Sequence, residues 1–351
     1  MQQNNELKDV RIKAGNPDNE IEIRNIIKLF TAEYGQSFPE QGVYDMQFWS
    51  RRISTRFSSI LALMNNKIIA HLAIQPDRKL SNSVQVTFPA VDPQHLYLID
   101  QLAEVAWQMV KKQAERHRWS SVYALLMSKE RRYQQVASDT FGLLETAIFP
   151  HYFRAAPQSK DITKRRNAIF AQKILSPQSQ IPSETETLYV PQKHLEACKY
   201  LYNGSGLKRS FQSVAGEYFA VPTDIRACEA RRYYGQGFSH VYITPSLLTN
   251  FNVISDYLSP SVPNLFFVSM KDPSCPDFCQ YLEDHGLSFC GVLPLLRNRE
   301  CIVYTQITDW DLESADCFSE RSKYLVQYIS ETLPTDSISD EDFMPAAAFQ
   351  G

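Results

Sequence analysis

The segment Ser121-Val-Tyr-Ala-Leu-Leu-Met127 is a near-continuous apolar run, as expected of a strand covered on both faces. It follows closely on Leu98 to His117, where Leu102, Val105, Ala106, Met109 and Val110 share one helical face. A strand of that kind has to sit inside a sheet with helices packed against it. The chain therefore reads as α/β, in the α+β sense of a mixed sheet flanked by helices.

The flanking segments extend this pattern. Val10 to Lys13 is a short strand, and Asp18 or Asn19 caps a helix carrying Ile23, Ile26, Ile27 and Phe30. An aperiodic stretch, Tyr34 to Tyr44, forms a structured loop before a helix around Tyr44 to Ile53. Ser59 to Met64 and Lys67 to Ile74 are β-prone runs joined by Asn65-Asn66, a dipeptide suited to a tight hairpin turn. Val84 to Val91, Leu143 to Phe149 and Ala168 to Ile174 supply further strands, and Arg131 to Thr140 a helix. The predicted order is β-α-α-β-β-β-α-β-α-β-β.

A chain of 351 residues with 44% hydrophobic side chains can bury more than one core. We place a first domain at 1–175, a Ser/Pro/Gln-rich linker at 176–184, a second domain at 185–332 and a mobile acidic tail at 333–351. The second half has strands at Thr187 to Val190, Leu265 to Ser269, Leu287 to Leu295 and Ile302 to Ile307, with helices at His194 to Tyr202, Pro276 to Asp284 and 320–332. Its β-α-β-β ending repeats the end of the first half, with Gly286 where Gly142 stood.

The formal net charge of −3 gives no field that would draw nucleic acid or an anionic membrane. The polar N-terminus lacks a signal-peptide core and no apolar run is long enough to span a bilayer, so a cytoplasmic location is expected. Seven cysteines, all between Cys198 and Cys317, are odd in number and irregularly spaced, and read as reduced thiols. Cys275 and Cys279 lack the further ligands of a zinc site, so no metal is expected.

The runs Tyr34-Gly-Gln-Ser-Phe-Pro39, Ile69-Ala-His-Leu-Ala73, Val91-Asp-Pro93 and Phe141-Gly-Leu-Leu-Glu-Thr146, in that order, resemble a family of tandem GNAT (GCN5-related N-acetyltransferase-like) proteins. In the second half, Leu188-Tyr-Val-Pro-Gln-Lys-His194, Gly286-Leu-Ser-Phe-Cys-Gly-Val-Leu-Pro294 and Tyr304-Thr-Gln-Ile307 agree with it. The resemblance implies a GNAT fold followed by a second, reduced GNAT-like domain. It also implies transfer of an acetyl or other acyl group from acetyl-CoA, or another acyl-CoA, to a small-molecule amine or protein substrate. Oligomeric state stays open.

Mapped onto this sequence, the resemblance places acyl-CoA at Val91, Pro93, His95, Leu96, Tyr97 and Leu98, with Gln135 facing the ligand, and the acceptor at Tyr34, Phe38, Tyr44 and Gln85. Pyrophosphate binding needs closely approaching backbone amides. The family's Arg and Gly-x-Gly after Val-Asp-Pro are replaced here by Gln94 to Asp100, which argues against ordinary CoA affinity. Arg232-Tyr-Tyr-Gly-Gln-Gly237 has the loop pattern, but the β-prone run Phe238 to Thr244 after it favours a hairpin turn.

Acyl transfer to an amine also needs groups that take and return a proton. Gln85 stands where a Glu is common and Ser138 where a Tyr is. Tyr133 is the candidate general acid, set against a surface aromatic between charged neighbours. His71 is the candidate base, set against a hydrogen-bonded core residue. Three readings result: an N-acyltransferase using acyl-CoA or a carrier-bound acyl group, a non-catalytic GNAT-fold protein that has lost acetyl-CoA binding and keeps a pocket for a ligand or partner, or an acyltransferase that takes an aminoacyl or carrier-protein donor.

Overall fold

A computed structural model describes residues 10–55, 58–76, 83–153, 165–175, 186–213, 227–233, 238–248, 257, 264–296, 299–307 and 317–333. Strand β1 (Val10–Ala14) leads into helix α1 (Glu20–Tyr34). Asn19 is the cap, its side chain accepting from the Glu22 amide at 3.1 Å, and Glu20 and Glu22 suit the positive end of the helix. Gly35, at φ 59°, ends it. A 3-10 turn at Gln41–Tyr44 precedes α2 (Met46–Thr55). The hairpin β2 (Ser58–Met64) and β3 (Lys67–Pro76) turns at Asn65 and Asn66, both with positive φ.

Strand β4 (Ser83–Val91), α3 (Leu98–His117), β5 (Ser121–Met127), α4 (Arg131–Asp139), β6 (Leu144–Phe153) and β7 (Arg166–Ile174) complete the first half in the expected order. On α3, Leu102, Ala106 and Val110 are buried, whereas Val105 and Met109 lie at its half-buried margin. The second half contains β8 (Glu186–Tyr189), α5 (Leu195–Tyr202), β9 (Arg209–Gln212), β10 (Cys228–Tyr233), β11 (Phe238–Ile243), β12 (Asn264–Ser269), α6 (Cys275–Asp284), β13 (Leu287–Leu296), β14 (Arg299–Gln306) and α7 (Glu320–Thr332). The sequence reading missed β9 and β10, which are short and rich in Arg. The linker at 176–184 and the tail from 334 lie outside the described residues.

Twelve strands form one sheet in the order β1-β2-β3-β4-β5-β7-β6-β13-β14-β12-β11-β10, while β8 and β9 pair separately. The two halves meet where β6 runs antiparallel to β13 at Ala147 and Gly291. A Cβ built on Gly291 would lie 2.3 Å from the Thr146 carbonyl oxygen and 2.5 Å from Ala147 Cα, so only glycine permits the approach. Outward from this seam the order is the same on both sides. Strands β6-β7-β5-β4-β3 match β13-β14-β12-β11-β10, with the parallel pair β4/β5 answered by the parallel pair β11/β12.

One hydrophobic core holds the helices of both halves against the sheet. A second, aromatic core fills the opposite, concave side, where Tyr152 and Phe238 bring their ring centroids within 4.2 Å. Helix α7 ties the halves together. The Phe318 amide before it donates to Gln134 Oε1 at 2.9 Å, and Arg321 donates to the carbonyls of Tyr200, Leu201 and Asn203 at the end of α5.

All seven cysteines are free thiols, and Cys275 and Cys279 share an S–H···S hydrogen bond at 3.8 Å and no disulfide. Among the described residues, no helix is long and apolar enough to cross a membrane, and no cluster of His, Cys, Asp or Glu is arranged to hold a metal ion.

Candidate functional site

Parallel strands joined by a helix need not stay paired along their length. Here β4 and β5 are in register only from Ser83 and Ser121 to Gln85 and Tyr123, a junction tied by the Ser83 and Ser121 hydroxyls at 2.8 Å. Beyond it they part, and a cavity of about 810 Å³ opens between them. Pro89, Leu126 and Tyr133 border it on the helix side of the sheet, and Phe149, Phe170 and Phe267 on the concave side. The opening therefore threads the sheet.

A bulge shapes the β4 wall. Phe88 adopts φ 53°, unusual for a bulky residue, and the β3/β4 register slips between His71 and Ala73. His71 holds this bulge. Its Nδ1 donates to the Phe88 carbonyl at 2.7 Å, which leaves Nε2 to accept from the Ser59 hydroxyl at 2.7 Å. The ring is fully buried, and burial lowers its pKa to about 4. With both nitrogens engaged away from the cavity, His71 positions β4 and has no nitrogen left for a substrate proton.

Tyr133 is placed differently. Rather than lying on the surface of α4 it is 7% exposed, borders the cavity, and donates its hydroxyl to Glu33. Glu33 Oε2 also accepts the Val91 amide at 2.6 Å. Burial raises the Glu33 carboxyl to about 7, against the pull of these hydrogen bonds, with Glu130 adding to the rise. Burial, then the neighbouring Glu33 charge, holds the Tyr133 phenol well above its ordinary range. Tyr34 adjoins the pair and donates to the Pro89 carbonyl at 3.0 Å.

Glu33 was not anticipated. A glutamate beside the last residue of an amphipathic helix reads as solvated charge, and its partners lie 58 and 100 positions away.

Phe38 and Gln85 border the cavity, Gln85 at the last paired position of β4 and β5. Tyr44 braces the loop from within, its hydroxyl accepting from the Phe38 amide at 3.2 Å.

The turn after β4 is largely occupied by the chain itself. The Val91 amide is spent on Glu33, that of Asp92 on the Ile69 carbonyl at 2.8 Å, that of Gln94 on Asp92 Oδ1 at 3.1 Å, and that of His95 on the Asp92 carbonyl at 2.7 Å. Pro93 has no amide to offer. Leu96 is exposed, Tyr97 precedes the first turn of α3, and Leu98 is a core residue. Arg132 reaches this turn, but its guanidinium is bonded to Asp100 and to Gln135 Oε1 at 3.1 Å. The cations at this turn are already paired, Lys67 with Asp92 at 3.1 Å and Arg132 with Asp100, and Glu33 takes the Val91 amide, so the turn fits a pyrophosphate poorly. Arg232 lies within β10 and Tyr233 pairs with Phe238, a strand-to-strand connection whose turn lies outside the described residues.

No family model matches the chain, and no curated protein matches it. Among solved structures it is similar to a ribosomal-protein-S18-alanine N-acetyltransferase from Escherichia coli, at 15% identity and TM-score 0.38, covering 49% of this chain and 97% of that one. It is also similar to yncA, a putative acetyltransferase from Salmonella typhimurium solved with acetyl-CoA, at 13% identity and TM-score 0.39, covering 49% and 96%. An aminoglycoside 6'-acetyltransferase type Ii gives 10% identity and TM-score 0.36, covering 48% and 99%.

Proposed function

We propose that the protein is an N-acyltransferase that moves an acyl group from a thioester to an amine inside the cavity at the β4/β5 divergence, and that its second half is a reduced copy of the first. The observation that carries this reading is the Glu33–Tyr133 pair. A carboxyl that titrates near 7, behind a phenol that borders a cavity, is suited to taking and returning a proton at neutral pH.

In the step we envisage, the amine lone pair attacks the acyl carbonyl carbon. As the new C–N bond forms, the amine proton passes to the Tyr133 oxygen while the Tyr133 proton passes to the Glu33 carboxylate. When the C–S bond breaks, the same path runs backward and delivers the proton to the leaving sulfur. The products are an amide and a thiol, and the residues end as they began. The acceptor enters between the Tyr34 to Tyr44 loop and β4, beside Phe38 and Gln85.

The turn at Val91 to Asp100 favours a donor other than ordinary acyl-CoA, one that carries its thioester without a pyrophosphate at that place. The same feature supports a second reading, a non-catalytic protein that binds its ligand in the cavity. Turnover separates the two. We expect amide formation when a panel of amines is offered with acetyl-CoA, longer acyl-CoAs and simple acyl thioesters, lost by about a hundredfold or more in Glu33→Gln and Tyr133→Phe. No turnover with any donor, together with ligand binding by calorimetry, would leave the second reading standing.

A further inference from the structure

The concave part of the cavity has a composition of its own. Tyr123 of β5 and Phe170 of β7 stack with centroids 5.5 Å apart, and across from them Tyr242 of β11 and Phe267 of β12 stack at 4.9 Å. These two ring pairs, one from each half, wall a chamber continuous with the Tyr133 end of the cavity. Flat rings accept a further flat ring at low cost in ordering.

The two ends differ in charge. At the helix-side end the carboxyls of Glu130 and Glu40 and the guanidinium of Arg52 border the cavity, with Glu33 behind Tyr133. At the other end Arg231 and Arg232 border it, and Arg231 and Arg299 lie 5.7 and 5.5 Å from the Tyr242 ring centroid. Glu229 is bonded to Arg231 at 2.8 Å and lies 3.6 Å from Arg299. Among the described residues one carboxylate thus stands between two guanidinium groups, with the Arg232 guanidinium on the next strand position. A cavity with an excess of carboxyls at one end and of guanidinium groups at the other selects a ligand with the opposite polarity.

Resting on the acyl-transfer reading, we propose that this chamber is the acceptor site and that the acceptor is an arylalkylamine bearing an anionic group, its amine at Tyr133, its ring against the stacked pairs and Phe149, which joins them, and its anion at Arg231 and Arg232. The part of the proposal that concerns the chamber does not depend on catalysis, so it is tested by binding.

The probes are 8-anilinonaphthalene-1-sulfonate, which is aromatic and anionic, and N-phenyl-1-naphthylamine, which has the same rings without the charge. Both should fluoresce on binding the intact protein. In the double variant Arg231→Gln/Arg232→Gln the sulfonate should bind about tenfold more weakly, as expected for loss of a charge-assisted contact. The neutral dye should change by less than about twofold, which also reports that the variant is folded. Added salt should weaken only the sulfonate. In competition, 4-(aminomethyl)benzoate should displace the sulfonate at a lower concentration than benzylamine or benzoate does. Equal weakening of both dyes, no effect of the Arg changes on the sulfonate, or displacement by benzylamine as effective as that by the aminomethylbenzoate would each overturn the proposal. Absence of turnover with intact selective dye binding would instead overturn the acyl-transfer reading alone.

Discussion

The two halves use the same strand order around the seam and treat the central parallel pair in opposite ways. In the first half β4 and β5 part after Gln85 and Tyr123, and the gap becomes a cavity. In the second half β11 and β12 stay in register from Ser239 and Asn264 to Ile243 and Val268. The polar groups follow suit. Glu33 and Tyr133 stand at the wall of an opening, whereas His194, 1% exposed and stacked on Phe289, is locked between Glu283 Oε1 at 2.7 Å and the Tyr328 hydroxyl at 2.8 Å. A titratable cluster becomes a candidate for chemistry when the strands beside it part. Where they stay zipped, similar groups serve as internal struts.

Four substitutions would break or sharpen this contrast. The largest effect is expected at the seam, where Gly291→Ala drives a methyl into the Thr146 carbonyl and the neighbouring Ala147. We expect a loss of about 3 kcal/mol or more, read as a lowered denaturant midpoint, and a near-normal midpoint would mean the halves do not depend on that approach. Next, Glu33→Gln should lower the rate by about a hundredfold while leaving the fold intact.

The same residue sets opposite pH trends. Its folded-state pKa is raised from 4.5 to about 7, so its contribution to stability is complete below 4.5 and is lost as pH rises through 7. In the proposed step the rate needs the carboxylate, so it should climb over that window. Glu33→Gln should flatten both trends, and an unchanged pH–rate profile would remove Glu33 from the chemistry.

As the counterpart in the closed half, His194→Gln should destabilise by about 1 to 3 kcal/mol, because Glu283 and Tyr328 lose a buried partner, and should leave the rate unchanged. A rate loss matching that of Glu33→Gln would erase the distinction between the halves. The smallest effect is expected for Asp100→Asn, which frees the Arg132 guanidinium at the start of α3. Acetyl-CoA binding by calorimetry should strengthen severalfold, in line with roughly 1 kcal/mol for one surface charge.

Much of the architecture could be read from local chemistry. Asn19 at a helix start, Asn65-Asn66 between β-prone runs, the apolar run Ser121 to Met127 and Gly142 and Gly286 after their helices each act over a few residues, and each sits where the structure has a cap, a turn, an inner strand or a positive φ. The site was less legible because it is made of distant partners. Tyr133 is a candidate in sequence, but its partner Glu33 is not, and Glu33 matters only because folding brings Val91 and Tyr133 to it. In sequence His71 fits either a base or a core residue, and the β4 bulge it supports decides its placement. Of the aromatic chamber, Phe238 to Thr244 could be read as a strand, yet nothing local says that its rings would face those of β5, β6 and β7.

The bare backbone at Gly291 acts as the fulcrum of the molecule. Because no side chain stands between β6 and β13 there, the two strands cross closely only two residues from Phe149 and Leu293 on the cavity wall, and a substitution at that one crossing can rescale the whole compartment.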